Sequence, residues 1–254
     1  MLYCRYPTAE ENRMNKKRDI PYIIALAAFA LFALLIVLLC TVDVRTAANG
    51  GKIGLGGMNI AVSEAIGYSG TWYKITQVLG YATLAVAAFN VAIVVWQYFR
   101  RKKLLAVDKE LLSLCVLYAV VVIAYVAFEV FVVNYRPTSP SDNLEASFPS
   151  SHTLLALTVL GSSAVVALRK IKSKPLRITV VSVEAAVGAV LVIGRTLAGV
   201  HWLTDIIGSV LLSAALVACF IGVLGAFDAD EQASRRETRK TCSRTREIIW
   251  ITSF

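Results

Sequence analysis

The chain has two histidines, His152 and His201, and each stands among residues able to bind or move phosphate. Asp205 follows His201 by four positions, which puts both on one helical face. A carboxylate there can hold one imidazole nitrogen and leave the other free to attack. His152 follows Phe148-Pro149-Ser150-Ser151, Arg136 stands in Asn134-Tyr135-Arg136-Pro137, and Arg195 in Gly194-Arg195-Thr196. Two histidines, one carboxylate, two arginines and two serines suit phosphoryl transfer through a phosphohistidine. The arginines would bind the equatorial oxygens bidentately. One histidine would attack phosphorus while the other protonates the leaving oxygen. Taken singly, each arginine reads as a cation at a helix C-terminus or a snorkelling side chain. Metal binding is the competing use of His and Asp, but two neighbouring cations oppose a metal.

The elements that must position these residues are apolar helices. Of 254 residues, 57% are hydrophobic and 17% charged, against about 25% charged in soluble domains. The mean hydropathy is +0.66. This excludes a soluble enzyme, and a disordered chain would be poor in apolar residues. Six runs reach the roughly 20 apolar residues a membrane span needs: Ile20–Val42, Ile75–Phe99, Leu111–Tyr135, Ser150–Leu168, Ile178–Gly194 and Trp202–Phe227. Their internal charges are few: Glu129, Glu184 and Asp205, with His152 beside them. The expectation is an all-α bundle of six transmembrane helices. The first run exceeds the about 7–15 apolar residues of a signal peptide and is expected to stay as an anchor.

The net charge of +9 sorts by loop. The N-terminal tail, the second and fourth loops and the C-terminal tail hold 21 of the 26 basic residues. Arg45, Lys52, Lys74, Arg136 and Arg195 form the other side. The positive-inside rule then places both termini in the cytoplasm. The basic excess is a topology signal, and no nucleic-acid partner is expected. His152 and His201 open inward-running helices at the outer face, where helix N-termini favour anions. An Asp just inside a span needs a partner, and His201 is the nearest. The cysteines Cys4, Cys40, Cys115, Cys219 and Cys242 form no CxxC pair and read as apolar fillers. The outer segment Asp43–Lys74 is Gly-rich, then amphipathic over Met58–Trp72; it reads as an interfacial helix or a packed loop. The chain divides into a cytoplasmic tail (1–19), a membrane domain (20–227, with the motifs in 129–205) and a second tail (228–254). The apolar end Ile248–Phe254 is expected to touch the membrane surface.

At these motifs the sequence resembles the type-2 phosphatidic acid phosphatase family, which shares its core with vanadium haloperoxidases. The family's first motif is Lys, six residues, Arg-Pro; here it reads Glu129, six residues, Arg136-Pro137. The second, Pro-Ser-Gly-His, reads Pro149-Ser150-Ser151-His152. The third, Ser-Arg, five residues, His, three residues, Asp, reads Gly194-Arg195, then His201 and Asp205 at the same spacing. The resemblance implies that His201 is the nucleophile, Asp205 its orienting partner and His152 the general acid. It implies that Arg136 and Arg195 clamp phosphate, that Ser150 and the backbone around Ser151 add donors, and that no metal or cofactor is needed. Ser151 replaces a Gly, Gly194 a Ser and Glu129 a Lys.

Together these readings lead to the expectation of an integral membrane phosphatase acting at the extracytoplasmic face on a lipid phosphate or a polyprenyl diphosphate, such as undecaprenyl diphosphate. Two rivals are a lipid phosphotransferase using the same site and a catalytically silent lipid-phosphate binder. Glu129 is expected to pair with Arg136 or Arg195 and aim it at phosphate. The partners expected are membrane lipids. Compact size, short loops and cytoplasmic basic clusters point to a multi-pass protein of a bacterial plasma membrane. The oligomeric state is left open.

Overall fold

The structure is a computed structural model. It describes the main chain of residues 9–138 and 144–251 and the side chains of 19–104, 106–138, 144–235 and 238. Among the described residues there are seven helices: α1 (Ala9–Thr41), α2 (Gly56–Ile66), α3 (Gly70–Arg101), α4 (Lys109–Val130), α5 (Ser151–Lys170), α6 (Lys174–Leu197) and α7 (Leu203–Ile251). All but α2 contain a stretch long and apolar enough to cross a membrane, one for each expected run. The fold is therefore the all-α six-span bundle that hydropathy indicates. Large apolar side chains such as Leu26, Phe89, Phe99, Ile123 and Phe131 are exposed on its flanks. Lipid rather than water is the solvent that makes such a surface stable.

Helix α5 sits at the centre, packed against α3, α4, α6 and α7, while α1 lies along α7. Small and hydroxylated residues let the helices approach α5: Ala156, Thr158, Ser162 and Ser163 are buried. Small interfacial residues are what helix packing in lipid favours, where burying apolar area gains little. An aromatic cluster of Phe32, Phe128 and Phe148 closes the bundle beneath the loop that precedes α5.

Three boundaries differ from the sequence expectation. The third span stops at Val130, short of Tyr135. Beyond it the chain is extended: Tyr135 bridges Ala146 and donates its N–H to the Lys52 carbonyl, while Arg136 N–H bonds the Glu145 carbonyl. Pro137 disfavours a helical Arg136. The amphipathic stretch Met58–Trp72 is split between α2 and the start of α3, because Gly67 takes a positive φ of 68°. A two-strand hairpin, β1 (Arg45–Thr46) with β2 (Lys52–Ile53), precedes α2. The Gly57 N–H and the Arg45 guanidinium hold Asp43 below its usual pKa there. Finally, α7 runs past Phe227 into the expected tail. Asp228 receives a bidentate pair from Arg169, at 3.0 and 2.6 Å, and Lys170 reaches Asp108 and Glu110 at 3.4 and 3.0 Å. This network ties the start of α4 and the end of α5 to the middle of α7. Single exposed pairs contribute about 0–1 kcal/mol, so it acts as a group or not at all.

The side chains of Arg5, Arg13, Lys16, Lys17, Arg18, Cys4 and Cys242, and the expected membrane contact of Ile248–Phe254, lie outside the described side chains. Cys40, Cys115 and Cys219 are free thiols; Cys40 and Cys219 are exposed on the bundle surface.

Candidate active site

The starts of α5 and α7, the end of α6 and the loop after α4 meet at one end of the bundle. The α7 start is anchored first. The Asp205 carboxylate, fully buried, accepts the Trp202 N–H at 2.9 Å and the Asn134 amide at 3.3 Å. An acid in the first helical turn also meets the positive end of the helix dipole. Asn134 uses its carbonyl oxygen to accept the Gly54 N–H at 3.0 Å, and the Trp202 indole donates to the Tyr135 carbonyl. The hairpin, the loop after α4 and α7 are thus locked together around Asp205.

His201 lies just before α7 and is 6% exposed. Its Nδ1 faces the Ser147 carbonyl at 3.1 Å and the Asp205 carboxylate at 3.7 Å. The nearer acceptor is therefore a backbone oxygen, with Asp205 behind it as the charge. Nδ1 carries the proton in this arrangement, which leaves Nε2 with its lone pair. Burial lowers the His201 pKa, Arg136 and Arg195 lower it further, and Asp205 opposes them. The neutral imidazole is therefore the form held near neutral pH.

Nε2 of His201 has no hydrogen-bond partner, nor have Ser147 Oγ and Arg195 Nε. Buried polar groups are nearly always paired, so each orphan calls for an explanation. His201 and Ser147 line a narrow cleft with Arg136, Glu129, Ser151 and Tyr125. Arg136 donates Nε to the Ala146 carbonyl at 3.3 Å and pairs with Glu145 at 3.4 Å. Arg195 is 1% exposed and does not line the cleft; its Nη1 is 3.3 Å from Thr76 Oγ1 and its guanidinium 5.4 Å over the Tyr73 ring. His152 lies within electrostatic reach of Arg195, His201 and Arg136.

Helix α3 makes room for two of these groups by carrying or facing glycine. A Cβ at Gly80 would stand 2.7 Å from His152 Cδ2 and 3.2 Å from its Nε2, so that edge of the imidazole lies against α3 at that point. A Cβ at Gly194 would stand 2.6 Å from Thr76 Cγ2 and 3.0 Å from Trp72. Glycine at 194 is thus what brings Arg195 against Thr76. His152 and Ser151 also border an apolar cavity of about 350 Å³ between α3 and α4, walled by Leu84, Val121, Val122 and Leu155.

Two expected placements are corrected. Among the described residues Glu129 makes no ion pair with Arg136 or Arg195; Arg136 pairs with Glu145 instead. Glu129 stands exposed near the end of its helix, within electrostatic reach of the Tyr125 hydroxyl one turn back. Ser150 does not face the cleft either. It is fully buried, with Oγ bonded to Thr153 at 3.1 Å, its N–H to the Asp205 carbonyl and its carbonyl to Ser209. Its place at the cap of α5 explains this, and Ser151 takes the cleft position. Sequence reasoning passed over Ser147, Asn134 and Thr76. Ser147 stands just before the Phe148-Pro149 step of the second motif, and that proximity is the one signal it gave. Among the described residues no group of three His, Cys, Asp or Glu side chains converges as a metal site.

Six apolar helices long enough to cross a membrane, with His201, Asp205 and Arg195 buried at one end, describe a multi-pass membrane bundle. Residues 110–227, a stretch that holds Glu129, Arg136, His152, Arg195, His201 and Asp205, match the model of the PAP2 superfamily. Among solved structures, the chain is similar to the first transmembrane PAP2 type phosphatidylglycerolphosphate phosphatase from Bacillus subtilis, with a TM-score of 0.59 and 17% sequence identity. The match covers 82% of this chain and 96% of that one, and at that identity it speaks for the fold. No curated protein matches the chain.

Proposed function

We propose that the chain is an integral membrane phosphatase that hydrolyses a lipid phosphate, or a polyprenyl diphosphate, through a phosphohistidine on His201. The observation that carries this reading is the state of His201: its Nδ1 edge is held by Ser147 and Asp205, and its Nε2 is unpartnered in a cleft shared with Arg136. A phosphoryl group entering there offers acceptor oxygens to Arg136, Arg195 Nε and Ser147 Oγ. The N–H groups of the first turn of α5 add the field of a helix N-terminus. The apolar cavity beside His152 suits a lipid tail.

In the first step His201 Nε2 forms a bond to phosphorus as the P–O bond to the lipid breaks. His152 gives its proton to the departing oxygen. In the second step His152 takes a proton from water, whose oxygen attacks phosphorus; the N–P bond breaks, phosphate leaves and both histidines return to their starting forms. Asp205 stabilises the imidazolium character that develops on His201. The arginines neutralise the charge gathered on the equatorial oxygens.

The test is phosphate release by the purified protein from phosphatidate, phosphatidylglycerophosphate and undecaprenyl diphosphate. The similarity in fold to the Bacillus subtilis phosphatase makes phosphatidylglycerophosphate the first to try. Release is expected without an acceptor and in the presence of EDTA. His152→Ala is expected to slow it by about 10²–10⁴-fold, the range of a positioned general acid. Release only with an added acceptor would indicate a phosphotransferase. Binding without release from any of the three would indicate a silent binder.

A further inference from the structure

At the opposite end from His201, helices α3, α5 and α6 enclose a second groove of about 620 Å³. It runs from Asp108 and Lys170, at the basic end of the bundle, up to Asn90, Ser163 and Glu184. No residue of the candidate active site lines it. Its size is that of a small-molecule pocket, and its walls are mostly apolar, with Val86, Phe89, Ile93, Val180 and Val183 among them.

Glu184 is the feature that needs a reason. It lies ten residues into α6 from Lys174, about 15 Å along the axis, near the middle of a hydrocarbon core about 30 Å thick. It is 8% exposed, and its Oε2 has no hydrogen-bond partner. An intramembrane carboxylate is costly, and such residues mark sites of binding or transport. The neighbours leave little for it. Asn90 commits its amide to the Tyr118 hydroxyl at 3.1 Å and the Ser163 hydroxyl at 3.3 Å, and both hydroxyls lie within electrostatic reach of Glu184. At the mouth Lys170 is held by Asp108 and Glu110.

We propose that this groove is a second lipid site, which takes a long-chain alcohol with its hydroxyl on Glu184. The spare capacity at the deep end is that of an acceptor. A hydroxyl both donates and accepts, so it satisfies a carboxyl group in either protonation state. A phosphorylated head is refused, because it brings only acceptors and negative charge to a carboxylate with no free cation beside it. The site therefore discriminates against a lipid phosphate and in favour of the alcohol that a lipid phosphomonoester leaves when its phosphate is removed. Only this last link rests on the phosphatase reading; the binding does not.

The experiment is photolabelling of the full chain in phosphatidylcholine nanodiscs with three diazirine-bearing hexadecyl probes, whose heads are hydroxyl, phosphate or ammonium. The hydroxyl probe is expected to mark peptides of α5 and α6 around Ser163 and Glu184. Glu184→Leu is expected to reduce that labelling about tenfold, which corresponds to one hydrogen bond to a charged group. Val180→Phe, which fills the groove and leaves Glu184 in place, is expected to reduce it equally. Thermal melting of both variants checks that they fold, and if Glu184→Leu does not fold, Val180→Phe alone decides. Undiminished hydroxyl labelling in a folded variant overturns the proposal, as does stronger labelling by the phosphate or ammonium probe. Because no turnover is read, a failure here leaves phosphate release at His201 untouched, and the converse also holds.

Discussion

His201 is held along one ring edge and open at the other, and the pH profile should show it. Burial and the two arginines lower its pKa, and in the proposed mechanism the attacking form is the neutral one. Activity is therefore present above that pKa and lost as pH falls through it. The acid limb of kcat/KM is expected below the ordinary histidine value of about 6.5. Asp205→Asn, which removes the one group that raises the pKa, should move the limb further down while slowing the reaction. A limb well above 6.5 in the parent would contradict this electrostatic account. The motif residues were legible at this scale because His, Arg and Asp announce their chemistry by type. Ser147 was not, since it contributes a carbonyl to His201, and any residue has one. Glu129 was misjudged because helical spacing brings it towards Arg136, whereas the extended chain after Val130 turns Arg136 towards Glu145.

Helix pairing sets where Arg195 stands, and one atom of space decides it. Gly194→Ser restores the residue found in the family motif, yet its Cβ would meet Thr76 Cγ2 at 2.6 Å. The expected cost is about 1–3 kcal/mol, the usual range for overpacking, read as a lowered melting temperature with reduced activity. Thr76→Ser removes the offending methyl and keeps the hydroxyl partner of Arg195, so the double variant should recover part of the loss. Equal melting of Gly194→Ser and parent would mean that α3 and α6 are less closely apposed. Hydropathy revealed the six spans because lipid demands uninterrupted apolar runs. It could not show the closeness of α3 to α6, which depends on glycine facing threonine across 118 residues of sequence. Nor could it show the end of α4, where the apolar Phe131, Val132 and Val133 continue the composition of a helix that the backbone has left.

For the whole molecule, the distribution of basic residues is expected to set the orientation. Ala48 in the hairpin turn and Ser173 between α5 and α6 are exposed at opposite ends of the bundle. In a cysteine-free background and intact cells, Ala48→Cys is expected to react with an impermeant maleimide and Ser173→Cys to be protected until the membrane is opened. The reverse pattern would place the candidate site in the cytoplasm. In the proposed function, orientation, bundle and cleft serve one event, the transfer of a phosphoryl group from lipid to His201. The most direct measurement of it uses lipid labelled with ³²P in the phosphate to be released, mixed with purified protein and quenched in alkali within the first turnover. The account predicts a base-stable, acid-labile label that maps to the peptide containing His201, forms more slowly in His152→Ala and is missing from His201→Ala. Labelled phosphate released at the parent rate by His201→Ala would contradict it.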